Sequence, residues 1–418
     1  MTLDMQALGR RAKAAAIELR QVTTAAKNQA LLTIADVLEQ RRDEILAANA
    51  ADIEDGRRNG MSEALLDRLN LQKRLDGVIA DVRSVVNLPD PVGIEFEQKT
   101  LPNGLEVRKR RVPIGVLGVI YESRPNVTVD VVSLALKTSN AVILRGGSET
   151  LRSNGVLVDA IQAALQMVDL PADSVQLIGD SDRRYVTELL RLGDYVDMII
   201  PRGGQSLHQL CREQSTIPVI TGGIGICHLY VDETADLEAA VNIVHNAKVQ
   251  RPSVCNALDT LLVQDRVAAT LIPRVVERLA LDGVSFRVDE QAASFVDGEW
   301  PIQLAGEGDW DTEWLSLILG IRVVPDLTSA IEHIQQHSTA HSDGIITQDA
   351  ASMERFLNEV DSAAVYINAS TRFTDGGQLG LGAEIAVSTQ KLHARGPMGL
   401  EELTTYKWII VGNGHIRE

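Results

Sequence analysis

Residues 116–147 read VLGVIYESRPNVTVDVVSLALKTSNAVILRGG: an apolar run, a helical pattern, a second apolar run and a pair of glycines. The runs at 116–121 and 141–144 are rich in β-branched residues and lack the polar alternation of a half-exposed strand, which is typical of strands buried on both faces. Two such strands joined by a helix form a unit in which the strands are parallel and the helix covers the sheet. The stretch therefore predicts an α/β fold.

Apolar runs alternate with helical patterns through much of the remaining chain. A glycine cluster at 222–225 separates two sets of these runs. The runs fall at 175–178 and 198–200 before the cluster, and at 228–231, 261–263, 321–324, 344–346 and 365–367 after it. We therefore expect two open parallel sheets, each covered by helices.

Three segments lie outside this alternation. Residues 5–87 carry alanine and leucine every three or four positions, which predicts a series of helices. The stretch 99–108 contains Asn103 and Gly104, a dipeptide typical of a hairpin turn, and 404–411 predicts a final strand that can pair with the hairpin. The hairpin is either a surface feature of one sheet or an arm that reaches another subunit, and the sequence leaves both open.

The composition excludes several classes of protein. The chain has 418 residues, 40 Lys and Arg against 57 Asp and Glu, a formal charge of −17 and 45% hydrophobic residues. No apolar stretch approaches the ~18 residues that span a bilayer, and an acidic chain repels phosphodiester backbones. Because the three cysteines are far apart and the N-terminus has no apolar signal segment, we expect thiols in a reducing cytoplasm.

Among the cysteines, Cys255 has the surroundings of a reactive thiol. Cys211 and Cys227 lie in helical and apolar patterns, where a cysteine packs as a small hydrophobic residue. Cys255 follows Arg251 and Pro252 on a polar loop, and a cation beside an exposed thiol lowers the thiol pKa. From this context alone, Cys255 is either a nucleophile or a packing residue.

Two turns at the predicted ends of strands carry paired glycines. They read LRGGSE at 144–149 and PRGGQS at 201–206. Backbone N–H groups and the dipole of the following helix can bind a phosphate at such a turn, although an ordinary strand-to-helix turn has the same composition. Neither turn has the spacing of the dinucleotide fingerprint or of the phosphate-binding loop of nucleotide hydrolases.

Three histidines recur every four residues within 333–341, as metal ligands on one helix face would. A metal site would need a supporting carboxylate or cysteine, however. The apolar Ile331 and Ile334 instead indicate an amphipathic helix that ends at Ser338. We expect no metal here.

The order of these segments resembles that of the aldehyde dehydrogenase superfamily. The resemblance rests on 112–120, Asn126, Gly203 with Gly204, Gly222 with Gly223, and the loop of Cys255. Within the superfamily, three further segments are similar to the branch that reduces L-glutamyl 5-phosphate. These are 324–345, 375–385 and 396–401.

The resemblance implies an aldehyde dehydrogenase-like fold, with two Rossmann-type open parallel sheets, helices on both faces and a small β oligomerisation element. Residues 1–222 would form the cofactor-binding domain, with the hairpin arm at about 95–112. Residues 223–385 would form the catalytic domain, and 386–418 would return to the cofactor-binding part.

The resemblance also implies roles for individual residues. Cys255 would be the thiolate nucleophile, and the side-chain N–H of Asn126 would join the Cys255 backbone N–H in an oxyanion hole. Glu313 corresponds to the superfamily glutamate at the nicotinamide ribose. Arg124 and Arg251, the cations nearest in sequence to Asn126 and Cys255, are either substrate anchors or solvent-exposed or structural arginines. The cofactor would further contact Arg145, Gly146, Ser148, Glu149, Gly203, Gly204 and Gly222.

Two of these positions bear on cofactor and reaction. Arg145 can bind a 2′-phosphate with two hydrogen bonds, which favours NADPH, whereas Glu149 in an NAD-type position would repel that phosphate. Superfamily members that oxidise aldehydes carry a glutamate just ahead of Gly222 as the base for hydrolysis, and this chain has Ile220 there. A thioester without a hydrolytic base survives until hydride arrives.

The implied activity is NADPH-dependent reduction of L-glutamyl 5-phosphate to L-glutamate 5-semialdehyde and phosphate through a cysteine thioester, in proline biosynthesis. The alternatives are an NAD(P)-dependent aldehyde dehydrogenase acting on another small aldehyde, and a non-catalytic scaffold of the same fold. The resemblance also implies a homo-oligomer, either dimer or tetramer, and contact with a glutamate 5-kinase that would supply the labile substrate. We expect no nucleic-acid or membrane partner.

Overall fold

The structure is a computed structural model and describes residues 3–222 and 224–417. Gly223 of the glycine cluster lies outside the described residues, as do Met1, Thr2 and Glu418 at the ends of the predicted domains. The helices are α1 (Met5–Leu19), α2 (Thr24–Gln40), α3 (Arg42–Arg58), α4 (Glu63–Leu69), α5 (Leu75–Val86), α6 (Asn126–Lys137), α7 (Leu151–Met167), α8 (Arg184–Leu190), α9 (Gln205–Gln214), α10 (Leu237–Val249), α11 (Asp265–Ala280), α12 (Glu290–Ala293), α13 (Leu327–His337) and α14 (Ala350–Glu359). The strands are β1 (Glu95–Thr100), β2 (Glu106–Pro113), β3 (Val116–Tyr121), β4 (Ala141–Arg145), β5 (Val175–Leu177), β6 (Met198–Arg202), β7 (Cys227–Val231), β8 (Leu258–Gln264), β9 (Ser285–Val288), β10 (Ile302–Leu304), β11 (Ile318–Val324), β12 (Ser342–Ile346), β13 (Ala364–Ile367), β14 (Ala386–Ser388), β15 (Gly396–Met398) and β16 (Thr404–Val411).

The chain divides into two compact units. The first unit consists of Met1–Thr221, Gly380–Ala386 and Met398–Glu418, and the second of Gly222–Leu379 and Val387–Pro397. The predicted C-terminal segment 386–418 is therefore shared between the two units.

The first unit is built on the βαβ stretch at 116–147. Strands β5, β4, β3 and β6 form a parallel sheet in that order, with Val119 opposite Leu144 in the register of β3 and β4. Every residue of β3 and β4 is buried, which explains why neither strand alternates apolar with polar residues. The parallel order brings the carboxyl ends of β3, β4 and β6 to one edge of the sheet, where ligands bind in such folds.

The helices and strands predicted for the rest of the first unit are also present. Residues 5–87 form α1 to α5, with α2 packed against α5 and α7. Strands β1, β2 and β16 form an antiparallel sheet, in which Trp408 of the final strand lies opposite Lys109 of the hairpin. None of the helices in the described residues has the length and apolar character needed to cross a membrane.

The second unit contains a parallel sheet in the order β10, β9, β11, β8, β7, β12, β13. The five apolar runs after the glycine cluster form β7, β8, β11, β12 and β13, as predicted. Strands β9 and β10 were not predicted, because they are short, partly exposed and close to the sheet edge, so no continuous apolar run marks them. Leu229, Leu261 and Ile321 belong to the core between this sheet and the helices α10 and α11. The predicted α/β class, with two parallel sheets covered by helices, is thus confirmed.

Candidate active site

The Cys255 loop joins α10 to β8 in the second unit. Its turn is closed by the Ala257 N–H, which donates to the Val254 carbonyl over 3.0 Å, and the Cys255 residue is half-buried. Cys211 and Cys227 are fully buried, as predicted. Burial raises the pKa of Cys211 to about 11 and also raises that of Cys227. Cys255 is therefore the most accessible of the three thiols.

The backbone of Cys255 is held by two neighbours. A side chain at Gly225 would place its Cβ 1.5 Å from the Cys255 carbonyl oxygen, so this approach requires glycine. The Cys227 thiol donates to the same carbonyl oxygen over 3.2 Å. The Gly225 N–H donates to the Glu313 carboxylate over 2.8 Å. The structure thus links Glu313, the predicted ribose ligand, to the segment that contacts Cys255.

The residue after Cys255 fastens the loop to the segment that follows β13. The Asn256 side-chain amide donates to the Thr374 carbonyl over 2.9 Å and to the Arg372 carbonyl over 3.4 Å. The Asn256 carbonyl accepts from the Thr371 hydroxyl over 2.7 Å. These bonds fix the position of the loop without using the Cys255 thiol.

Arg372 is a cation near Cys255 that sequence reasoning missed. Its Nε donates to the Gln250 side chain over 2.8 Å. Burial lowers the pKa of Arg372 and Arg251 lowers it further, whereas Asp375 and Cys255 raise it. The charges of Arg251 and of the Cys255 thiol thus both act on the Arg372 guanidinium. The available signal was the polar segment directly after an apolar strand, because ligand-binding residues gather at the carboxyl ends of parallel strands.

A buried ion pair joins the two elements that flank the loop. Lys248 Nζ of α10 lies 3.5 Å from Asp259 Oδ1 of β8. Burial raises the pKa of Asp259 to about 6 and lowers that of Lys248. The Asp259 carboxylate also accepts from the backbone N–H of Trp314 over 3.2 Å. This bond connects the residue after Glu313 to β8. The contacts of Asp259 with Lys248 and Trp314 thus join the elements on both sides of the loop.

In the first unit, Asn126 is the first residue of α6. Its side-chain amide donates to Asp130 Oδ2 over 3.0 Å. Burial raises the pKa of Asp130 to about 6; Asp81 also raises it, and Arg202 and the Asn126 hydrogen bond lower it. An amide NH₂ has two N–H donors, so one remains for an oxyanion. Sequence reasoning missed Asp130, although residues four apart on a helix share a face.

The glycine turn after β4 is closely packed. A Cβ at Gly146 would lie 2.1 Å from the Asn154 side-chain nitrogen. The buried Arg145 donates to the carbonyls of Gly146 and Ser181 over 2.5 and 3.0 Å. Its Nε is buried and has no hydrogen-bond partner among the described residues. Burial lowers the pKa of Arg145, and Glu149 raises it. The positively charged guanidinium of Arg145 is therefore buried within the glycine turn after β4.

The same turn positions Ser148 and Glu149. Ser148 is exposed, whereas one carboxylate oxygen of Glu149 accepts both the N–H and the hydroxyl of Ser123, each over 2.7 Å. These two donors hold Glu149 against the connection between β3 and α6. Arg124, the predicted substrate anchor, is exposed in that connection.

A carboxylate of the chain itself lies at the second glycine turn. Glu122 accepts from the Gly204 N–H over 3.0 Å, and a Cβ at Gly203 would lie 2.4 Å from a Glu122 oxygen. The Gly204 N–H is therefore a donor that can bind an anion at this turn, and in the structure its acceptor is the Glu122 carboxylate. Gly222, which the sequence also assigns to the cofactor, is buried.

The histidines of α13 have partners other than a metal. His333 interacts with Arg322 over 2.9 Å and His337 with Asp311 over 2.8 Å, in each case through Nδ1. The helix ends at His337 with Ser338 as its cap, as predicted. No group of metal-ligating side chains occurs within 3–222 and 224–417.

The predicted site residues gather in two places. In the first unit, most of them lie at the carboxyl ends of β3, β4 and β6. In the second unit, Cys255, Arg251 and Glu313 are associated with the loop between α10 and β8. The partnerless buried Nε of Arg145, and the crowded Gly146 and Gly203 of the two glycine turns, fit a phosphorylated nucleotide at the sheet edge of the first unit.

Comparison with known proteins agrees with this architecture. A model of the aldehyde dehydrogenase family matches residues 2–291. The chain is 58% identical to the gamma-glutamyl phosphate reductase of Photobacterium profundum, over 97% of this chain and 98% of that protein, and 58% identical to that of Vibrio parahaemolyticus over the same shares. The crystal structure of gamma-glutamyl phosphate reductase from Thermotoga maritima has 47% identity and a TM-score of 0.96, covering 99% of this chain and 100% of that one. The chain belongs to the aldehyde dehydrogenase family and, within it, to the gamma-glutamyl phosphate reductases.

Proposed function

We propose that the chain reduces L-glutamyl 5-phosphate to L-glutamate 5-semialdehyde and phosphate with NADPH, the second step of proline biosynthesis. The observation that carries this proposal is the half-buried Cys255 thiol on a loop whose backbone is fixed by Gly225 and Asn256. The substrate is supported by relatives that are named gamma-glutamyl phosphate reductases and are 58% identical over nearly the whole chain.

The first step forms a thioester on Cys255. The thiolate attacks the γ-carbonyl carbon of the acyl phosphate, so that a C–S bond forms and negative charge moves to the carbonyl oxygen. The backbone N–H of Cys255 and the side-chain N–H of Asn126 are the donors that we assign to this oxygen. The C–O bond to phosphate then breaks, and phosphate leaves with the electron pair without a proton from the protein.

The second step releases the semialdehyde. When bound, NADPH supplies the hydride that reduces the thioester. The C–S bond of the resulting thiohemiacetal then breaks, and Cys255 leaves as a thiolate ready for the next cycle. Ile220 favours reduction over hydrolysis. Hydrolytic members of the family carry a glutamate base at this position, whereas the buried hydrocarbon side chain of Ile220 cannot activate water.

Members of the aldehyde dehydrogenase family use nicotinamide cofactors, and we propose NADPH for this chain. Ser148 and the charge of Arg145 provide a donor and a cation for the 2′-phosphate. Glu149 keeps its charge, but its two hydrogen bonds to Ser123 hold it against the connection between β3 and α6. The further residues that would hold the cofactor are Gly146, Gly203, Gly204, Gly222 and Glu313.

We further propose a homo-oligomer that assembles through the β1–β2–β16 sheet, and Arg124 and Arg251 as anchors for the anionic substrate. Contact with a glutamate 5-kinase would protect the labile acyl phosphate during transfer. A thiolate nucleophile needs a reducing compartment, so we propose the cytoplasm as the place of action.

Trapping the thioester tests this function. The protein is mixed with glutamate 5-semialdehyde and NADP⁺ without phosphate, quenched in acid and digested for mass spectrometry. We expect one equivalent of NADPH and a glutamyl adduct on the Cys255 peptide. C255A should give neither, and C211A should give both. NADPH formation by C255A would contradict the proposal.

A further inference from the structure

Arg372 is held beside the nucleophile loop by its backbone and by its side chain separately. It lies in the short helical turn Thr371–Phe373 that follows β13. Its carbonyl accepts from the Asn256 amide, and that bond does not depend on the guanidinium. Its Nε donates to Gln250, which leaves the two terminal NH₂ groups as the fork that binds planar or tetrahedral anions.

A second guanidinium follows Gln250 directly in the chain. Arg251 is exposed, and its positive charge lowers the pKa of the half-buried Arg372. Like charges in a partly buried site are stabilised by an anion. The Cys255 thiol, on the same loop, favours the charged form of Arg372 and provides one such group when ionised. The arrangement is that of a site for an anion next to a thiolate.

We infer that Arg372 and Arg251 form the binding site for the phosphoryl group of the acyl phosphate, and for the inorganic phosphate that it becomes. This inference rests on the proposed function, because the acyl phosphate is the substrate assigned there. As the carbonyl C–O bond breaks, the bridging oxygen keeps the bonding electron pair and the phosphate gains negative charge. The two guanidinium groups stabilise that charge, and the phosphorus–oxygen bonds stay intact.

Protection of Cys255 by phosphate tests the inference without turnover. Cys255 is alkylated with iodoacetamide, a neutral reagent, at increasing inorganic phosphate and at constant ionic strength set with potassium chloride. The rate is followed by mass spectrometry of the Cys255 peptide. The variants are R372Q, which removes the charge, and R372K, which keeps the charge and loses the fork. R355Q is the matched control, because Arg355 in the same unit pairs with Glu359 on α14.

In the wild type and in R355Q, we expect phosphate to slow alkylation to the same extent. In R372Q, the phosphate concentration for half-protection should rise about tenfold or more, because a charge-assisted hydrogen bond to the anion is lost. R372K should lie between the two. If R372Q does not fold, R372K decides through the oxidative reaction, in which its KM for phosphate should rise above the wild-type value.

The results separate the role of Arg372 from the proposed function. Unchanged half-protection in R372Q, or an unchanged KM for phosphate in R372K, overturns the role of Arg372 and leaves the proposed function intact. Absence of any phosphate protection in the wild type argues against an acyl phosphate as substrate and overturns the proposed function as well.

Discussion

Asn126 offers its side-chain amide in a fixed orientation, because Asp130 accepts one of the two N–H groups. The loss of one oxyanion donor costs about 10²–10³ in kcat. We therefore expect N126A to lower kcat by about this factor with little change in KM or in thermal stability. Steady-state kinetics and thermal melting check this, with N413A at an exposed site as the control. A fully active N126A would remove Asn126 from the oxyanion hole.

Asp130 gives the chain a pH-dependent stability. Its folded pKa of about 6 lies above the unfolded value of about 3.9. The folded protein therefore holds this proton more tightly, and the stability it contributes at low pH is lost as the pH rises from about 4 to about 6. D130N cannot ionise, so we expect it to exceed the wild type in stability by about 3 kcal/mol at pH 7.5 and to approach it near pH 4.

Urea unfolding of D130N at several pH values measures this difference, and D159N on the exposed face of α7 should show none. A difference that stays constant with pH would contradict a raised pKa of Asp130. The same variant should lose part of its activity, because a neutral amide holds Asn126 less firmly than a carboxylate does.

Single residues of the site differ in how well the sequence predicts them. Cys255 was recognisable as a candidate from its polar loop and from Arg251 four residues before it, and the family resemblance gave it the role of nucleophile. Arg372 was not, because it reaches the loop only through tertiary contacts made by Asn256 and Gln250. Glu149 shows a similar limit: its sequence position suggested repulsion of a 2′-phosphate, whereas its hydrogen bonds to Ser123 depend on the folded turn.

At the scale of elements, the nucleophile loop depends on its contact with the glycine segment before β7. A methyl group on Gly225 would overlap the Cys255 carbonyl oxygen at 1.5 Å. We expect G225A to shift the loop and to lower kcat by about 10²-fold or more, since an error of ~1 Å in placement has that cost. The Cys255 alkylation rate should change as well.

The matched control for this variant is G308A in the same unit, where a Cβ meets no heavy atom within 4 Å. G308A should keep both kcat and the alkylation rate. Wild-type kcat in G225A would show that the close approach does not position the nucleophile.

Elements were predictable where burial imposed a pattern. The apolar runs of β3 and β4 follow from burial on both faces, and the end of α13 at His337 follows from its apolar stripe and Ser338. Strand β9 places only Phe286 and Val288 in the core and β10 has no buried residue, so neither strand shows a continuous apolar run. The sequence predicts only that β16 can pair with the hairpin, because the two segments lie nearly three hundred residues apart.

At the scale of the whole molecule, one face of β16 is apolar and exposed. Tyr406, Trp408 and Ile410 share this face, with 47%, 52% and 63% of their surface exposed. Because β16 is an edge strand, we expect a second copy of the chain to cover it. W408E should therefore lower the mass measured by light scattering to that of the monomer.

T405E places the same charge on the opposite face of β16 and should leave the oligomer intact. A monomeric wild type, or a W408E oligomer of unchanged mass, would contradict assembly through this sheet.

The most direct test of the proposed function is the phosphate requirement of the reverse reaction. Glutamate 5-semialdehyde and NADP⁺ are incubated with catalytic amounts of the protein, with and without inorganic phosphate, and NADPH is followed by its absorbance. We expect continuous NADPH formation only with phosphate, because Ile220 provides no base for hydrolysis and only phosphate can release the Cys255 thioester. Continuous formation at the same rate without phosphate would contradict the reductase and indicate a hydrolytic aldehyde dehydrogenase.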